Sequence, residues 1–179
     1  NDAPVARDDT GTVKEDATLT VSDGDNANAV SAATYVDGFS ISNEEFAPQG
    51  FRFNNDGTKM FVIGSNGDDV NEYTLSTAFD VSTASFVDSF DISSQELGPR
   101  DVAFSNDGLK MFVVGVRGDD VNEYTLSTAF DVSTASFVDS FDISSQELGP
   151  RDVAFSNDGL KMFVVGVRGD DVNEYTLST

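Results

Sequence analysis

Three pairs of adjacent aspartates, Asp68-Asp69, Asp119-Asp120 and Asp170-Asp171, each follow a glycine and recur every 51 residues. Neighbouring carboxylates on a loop are hard oxygen donors of the kind calcium takes, roughly six to eight at a time. These six residues are therefore the candidate metal ligands, and calcium is the one cofactor the chain suggests. The D-x-[DN]-x-[DN]-G spacing of a dedicated calcium loop is absent from the repeats, and DGDNAN at 23–28 matches it only in part. The competing reading is structural: an Asp pair that ends a turn and stays solvated.

In two of the copies the sequence before the pair spells RGD, at 117–119 and 168–170, a tripeptide that integrin ligands present on exposed loops. The first copy has Asn66-Gly67-Asp68 at that place. What all three share is turn chemistry, with the glycine expected to supply a positive φ. A second cluster, Glu96, Pro99, Arg100 and Asp101, could form a ring of arginines that grips a carboxylate or phosphate. The first copy carries Gln49 and Gly50 in the positions of Arg100 and Asp101, so the expectation is that Arg100 pairs structurally with Asp101 or Glu96. Tyr124 and the phenylalanines fit strand alternation, which assigns them to the core rather than to a sugar-binding platform.

Composition narrows the chemistry. The 179 residues hold no His and no Cys, which excludes imidazole bases, thiol nucleophiles, disulfides and zinc-thiolate sites. A net charge of −22 argues against nucleic acid and anionic membranes as partners. No run reaches the ~18 apolar residues of a membrane span. The opening NDAPVARDDTG lacks the basic and apolar regions of a signal peptide, so the chain reads as an internal or processed piece.

The elements that must position these residues follow from the repeat. Residues 78–128 and 129–179 are identical, and 27–77 is a diverged copy that keeps Asp56, Gly57, Lys59, Met60, Phe61 and Gly64. A period near 50 means a supersecondary unit stacked on its neighbours. Helical spacing is missing throughout, whereas short Val-, Phe- and Tyr-rich runs alternate between turn signals. The second unit reads as strands DVAFS at 101–105, KMFVVGV at 110–116 and VNEYTLS at 121–127, with an NDG hairpin at 106–108 and an outer strand FVDSFDIS at 137–144. Four antiparallel strands joined by local hairpins make a β-propeller blade, so the fold class is all-β.

The run AFSNDGLKMFVVG followed by VNEYTLST resembles the repeat of YVTN-type and WD-like bacterial propellers over residues 27–179. The opening, NDAPVARDDTGTVKEDATLTVSDGD, resembles the start of VCBS-type and cadherin-like repeats of large secreted adhesins, which makes residues 1–26 an N-terminal arm or truncated module. Together these resemblances imply a non-catalytic extracellular or cell-surface binding and structural module, calcium-stiffened and open to a protein or glycan ligand. Two alternatives stand beside it: a calcium-dependent hydrolase or lactonase-like propeller enzyme, and a recombined or engineered repeat with no role beyond folding.

The phase of the repeat adds one expectation. YVDGFSIS at 35–42 matches an outer strand, while the last unit stops after its third. Closing a ring then needs further repeats or a second chain, and the expected self-association is a homodimer giving six blades.

Overall fold

The computed structural model describes Val30 and residues 33–178. The adhesin-like opening at 1–26 and the DGDNAN stretch lie outside the described residues. Contacts divide the chain into residues 1–36 and 37–179, and all eleven strands belong to the second unit.

Among the described residues these strands form three antiparallel sheets. Strands β1 (Pro48–Phe53), β2 (Lys59–Gly64), β3 (Asp69–Leu75) and β4 (Ala84–Asp91) pair in chain order. So do β5 (Pro99–Phe104), β6 (Lys110–Gly115), β7 (Asp120–Leu126) and β8 (Ala135–Asp142). The third sheet holds only β9 (Pro150–Phe155), β10 (Lys161–Gly166) and β11 (Val172–Thr176). The four-stranded blade expected from the sequence is thus present twice, followed by a blade of three strands.

Local sequence accounts for each hairpin. Between β5 and β6, Asp107 Oδ1 accepts from Leu109 N at 3.0 Å and from the Ser105 hydroxyl at 2.6 Å, and Gly108 takes a φ of 71°. This is the NDG turn read from the sequence, and the left-handed residue is the glycine. Between β7 and β8 a 3-10 turn, Val132–Thr134, starts at Asp131, whose carboxylate accepts from Ser133 N at 3.2 Å.

A sheet that is apolar on both faces must be covered on both, and the blades cover one another. Phe61, Ile63, Val70 and Ile92 of the first blade pack with Val102, Met111, Val113, Tyr124 and Leu126 of the second. Ala103, Val114, Val121 and Ile143 on the other side of the second blade pack with Val153, Met162 and Val164 of the third. The alternation along each strand therefore separates a face toward the preceding blade from a face toward the following one. The innermost strands β1, β5 and β9 pack side by side.

Polar clamps reinforce the apolar contact. Glu72 on β3 accepts from Lys59 Nζ at 2.6 Å and from Val132 N at 2.9 Å, while Lys59 also donates to Phe130 O at 2.6 Å. The first blade thereby grips the 3-10 turn of the second. At the hairpins that join the first two strands of each blade, Asn55 Nδ2 donates to Asn106 O and Asn106 Nδ2 to Asn157 O, each at 2.7 Å, one step per blade.

The stretch YVDGFSIS at 35–42, read from the sequence as an outer-strand equivalent without a partner in this chain, carries no strand pairing in the structure. Pairing needs a β3-type edge beside it, and none is present there among the described residues. Its side chains nevertheless take outer-strand places: Phe39 meets Tyr73 edge-on at 5.7 Å, as Phe90 meets Tyr124 at 5.6 Å.

Glu72 and Glu123 occupy the same repeat position, yet the side chain of Glu72 is 2% exposed and that of Glu123 is 31% exposed with only Lys110 as partner. Glu72→Ala should lower stability by about 2–4 kcal/mol, because it strands a partly buried ammonium and a buried N–H. Glu123→Ala should cost under about 1 kcal/mol. Urea midpoints of the two variants test the difference, and equal losses would refute the clamp.

Candidate functional site

The acidic residues of the repeat divide into carboxylates that build turns and carboxylates that meet between blades. The first group includes Glu45, Glu96 and Glu147, all buried. Glu96 accepts from Arg117 N and Gly118 N, both at 3.1 Å, so the loop before β5 caps the tip of the β6–β7 hairpin. Glu147 does the same for Arg168 N and Gly169 N, at 3.0 and 3.1 Å. Burial raises the pKa of Glu96 while the two N–H bonds oppose the rise. A Cβ on Gly115 would stand 2.4 Å from the Glu96 carboxyl carbon, so that glycine is the floor over which the glutamate lies. The bonds from Glu96 and Glu147 place these two loops on one face.

The six candidate metal ligands sit at the same hairpins but split between two tasks. Asp68 Oδ1 accepts from Gly98 N at 3.0 Å, and Asp119 Oδ1 from Gly149 N at 2.7 Å. The first aspartate of each pair thus ties the hairpin to the loop entering the next blade. The second bonds an asparagine two residues on: Asp69, Asp120 and Asp171 accept from Asn71, Asn122 and Asn173 at 2.8, 2.9 and 3.0 Å, the first two partly buried and the third exposed. Burial raises the pKa of Asp69 and Asp120. Asp170 lies exposed at the last hairpin. Among the described residues no group of three or more acidic side chains is arranged to hold a metal ion.

The turn geometry also differs from the expectation. The positive φ belongs to Asp68, Asp119 and Asp170, at 49°, 49° and 54°, and not to the glycine before each. Gly118 gives the neighbouring carboxylate room: a Cβ there would come within 2.4 Å of Asp120 Oδ1 and displace that side chain. Asp is among the few side-chain-bearing residues that enter the left-handed region readily. Arg117 and Arg168 are exposed at the tips.

The second group lies where the innermost strands meet. Arg52 on β1 reaches Asp101 on β5 at 2.6 Å and Asp152 on β9 at 3.0 Å with the same Nη2. Asp101 Oδ2 also accepts from Val153 N at 3.2 Å. Three blades thus contribute one side chain each. Asp101 is 5% exposed and Asp152 56%. Burial and a hydrogen bond with Asp152 push the Asp101 carboxyl up to about 7, whereas that same bond pulls Asp152 down. The two acids titrate as a coupled pair, in which Asp101 holds a proton more tightly than Asp152.

Arg100 does not pair with Asp101 or Glu96 as expected. Its Nη1 donates to Gln49 Oε1, and its buried Nε has no partner. Burial and the neighbouring Arg151 depress its pKa. The reason is that Asp101 is engaged by Arg52 and Glu96 by the hairpin N–H groups. Arg52 escaped the sequence reading, although a signal existed: it stands where the other copies have Ala103 and Ala154.

The coupled pair gives a pH dependence of defined sign. An unfolded aspartate titrates at about 3.9, below the value of Asp101 in the fold, so the folded chain holds this proton more tightly. Asp101 therefore weakens the fold progressively as pH rises from about 4 through about 7. In Asp101→Asn the fall in urea midpoint between about pH 5 and about pH 8 should be smaller than in the parent chain. Identical pH profiles would refute the tightly held proton.

No protein-family model matches the sequence, and no curated protein matches it. The structure is similar to solved β-propellers. A candidate 6-phosphogluconolactonase from Bacteroides fragilis NCTC 9343 superposes with a TM-score of 0.58 at 16% identity, over 73% of this chain and 35% of that one. The periplasmic gluconolactonase of Pseudomonas aeruginosa gives 0.55 at 16% identity, over 73% and 36%. A β-propeller domain from Myceliophteria thermophila gives 0.55 at 11% identity, over 72% and 39%. The chain spans little more than a third of the length of these structures, and the likeness establishes its fold as a set of β-propeller blades.

Proposed function

We propose that the chain is a non-catalytic binding and structural segment of a β-propeller, and that its ligand is a small carboxylate or phosphate held at the inner end of the blades. The observation that carries this reading is Arg100. Its guanidinium is partly desolvated, lies beside Arg151, and has Gln49 as its hydrogen-bond partner. Arg52 lies between Asp101 and Asp152, while Arg100 has no salt bridge and feels both Arg151 and Glu96, which gathers arginines at one place in a chain of net charge −22. An anion there would relieve the repulsion between the arginines and supply acceptors for free N–H groups. An extracellular, surface or periplasmic setting accords with the adhesin-like opening and with the periplasmic gluconolactonase among the structural neighbours.

A second reading, hydrolysis of a lactone or ester, draws on the coupled pair of Asp101 and Asp152. A carboxyl poised near neutrality beside an ionised one is a donor–acceptor pair suited to general acid–base work. It is also consistent with the gluconolactonases among the fold neighbours. The near-identity of the blades weighs against it, since the second and third copies are the same residue for residue and only the first departs from them here, at Gln49, Gly50 and Arg52.

Calorimetric titration with inorganic phosphate and with gluconate tests the main reading. Arg100→Gln, which copies the residue of the first blade, combined with Arg151→Gln, should weaken binding about 10-fold or more. Absence of binding, or equal binding by the double variant, overturns it. Gluconolactone hydrolysis above the buffer rate that disappears in Asp101→Asn would instead establish the second reading.

A further inference from the structure

The tyrosine of the repeat carries a polar group that the fold leaves unpaired. The hydroxyls of Tyr73, Tyr124 and Tyr175 are buried and have no hydrogen-bond partner, and Tyr73 and Tyr124 are fully enclosed as residues. Buried hydroxyls are as a rule hydrogen-bonded, and here the same one is unpaired in all three copies.

Each of these hydroxyls is aimed at carboxylates. Asp120, Asn122 and Tyr124 follow one another at the spacing of one face of β7, and Asn122 Nδ2 donates to Asp120 Oδ1 at 2.9 Å. Burial first, then the charges of Asp120, Glu96 and Asp91, raise the pKa of the Tyr124 phenol, which places its oxygen among those acids. For Tyr175 the causes after burial are Asp171 and Glu147, the same two repeat positions.

Those two acids lack a cation. Among the described residues neither Glu96 nor Asp120, nor their equivalents Glu147 and Asp171, has a lysine or arginine within salt-bridge distance. Glu96 is fully buried, and each of its oxygens accepts one N–H, Oε1 from Arg117 and Oε2 from Gly118, as an ionised carboxylate does. Asp120 has its asparagine bond on Oδ1 alone. Asp91, by contrast, is exposed and met by Ser93 N at 2.8 Å. In the third copy a Cβ on Gly169 would stand 2.6 Å from Asp171 Oδ1 and 3.0 Å from Glu147 Oε2, so the two carboxylates border one small space at the hairpin glycine. Buried negative charge without a counter-charge is costly.

We propose that Glu96, Asp120 and the Tyr124 hydroxyl ligate one calcium ion in the second blade, and that Glu45, Asp69 and Tyr73, and Glu147, Asp171 and Tyr175, do the same in the first and third. Two carboxylates match the double charge of the ion, the phenol supplies a neutral oxygen, and backbone carbonyls and water complete the roughly six to eight that calcium takes. No third acid is needed, in keeping with the lack of any three-acid group among the described residues. The site divides each aspartate pair: the second member binds the ion, whereas Asp68 and Asp119 are engaged by Gly98 N and Gly149 N. It shares no residue with the anion site, and the two readings stand or fall separately.

With so few charged ligands the expected affinity is about 0.1–1 mM. Calcium chloride should raise the thermal midpoint of the chelator-treated full chain. Magnesium chloride at the same concentration should not, because that smaller ion demands octahedral geometry and gives up its water reluctantly. In the triple variant Asp69→Asn, Asp120→Asn, Asp171→Asn, calcium affinity measured by calorimetry should fall about 10-fold or more. The new side chains can still accept from Asn71, Asn122 and Asn173, so the hairpins keep their bonds. The triple variant Tyr73→Phe, Tyr124→Phe, Tyr175→Phe keeps the ring packing and should also bind calcium more weakly. The matched variant Asp68→Asn, Asp119→Asn, Asp170→Asn removes the same charge at positions of positive φ that asparagine tolerates, and should bind calcium as the parent chain does. No shift with calcium, an equal shift with magnesium, equal losses in the two aspartate variants, or unchanged binding in the tyrosine variant would each overturn the proposal.

Discussion

A four-stranded sheet with apolar residues on both faces cannot stand alone in water, and every other feature of this chain answers that constraint. The central strand KMFVVG presents Met111 and Val113 to the preceding blade and Val114 to the following one, all fully buried. Burying one such side chain contributes on the order of 1.5–3 kcal/mol, so an interface of about ten of them dominates any polar contact nearby. The repeat unit is therefore stable only in the company of its neighbours, as in other quasi-one-dimensional arrays.

The polar residues work inside this frame. Glu96 and Glu147 are buried because the glycine beneath each leaves room, and their charge is met by two backbone N–H groups at the hairpin tip. Asp68 and Asp119 reach across to the next blade, and Glu72 reaches across to its 3-10 turn. A backbone donor that would otherwise be buried without a partner is satisfied in each case. Most of the acidity of the repeat is thus structural in use. Arg52, one of the residues by which the first copy differs from the others, draws the carboxylates of two further blades together.

The period, the strand order within a blade, the NDG turn and the apolar alternation were all legible in the residues, because each depends on local chemistry that a short window contains. The burial of Tyr124 between blades was legible for the same reason. The left-handed residue at the hairpin tip was misplaced onto Gly118, since turn statistics favour glycine there and say nothing of the Asp120 carboxylate that needs its space. Arg100 was misassigned because Asp101 and Glu96, its sequence neighbours, are claimed by groups 49 and 21 residues away.

The sequence by itself determined that this is an array of like blades, because periodic apolar patterning specifies which faces must be covered. It could not determine which of the repeated carboxylates meet, because residues at equivalent positions are identical on paper and differ only in what stands next to them in space. Glu72 and Glu123 are the plainest instance, one buried under a neighbouring turn and the other half open. The tertiary structure decided that, and with it where Arg52, Asp101 and Asp152 converge.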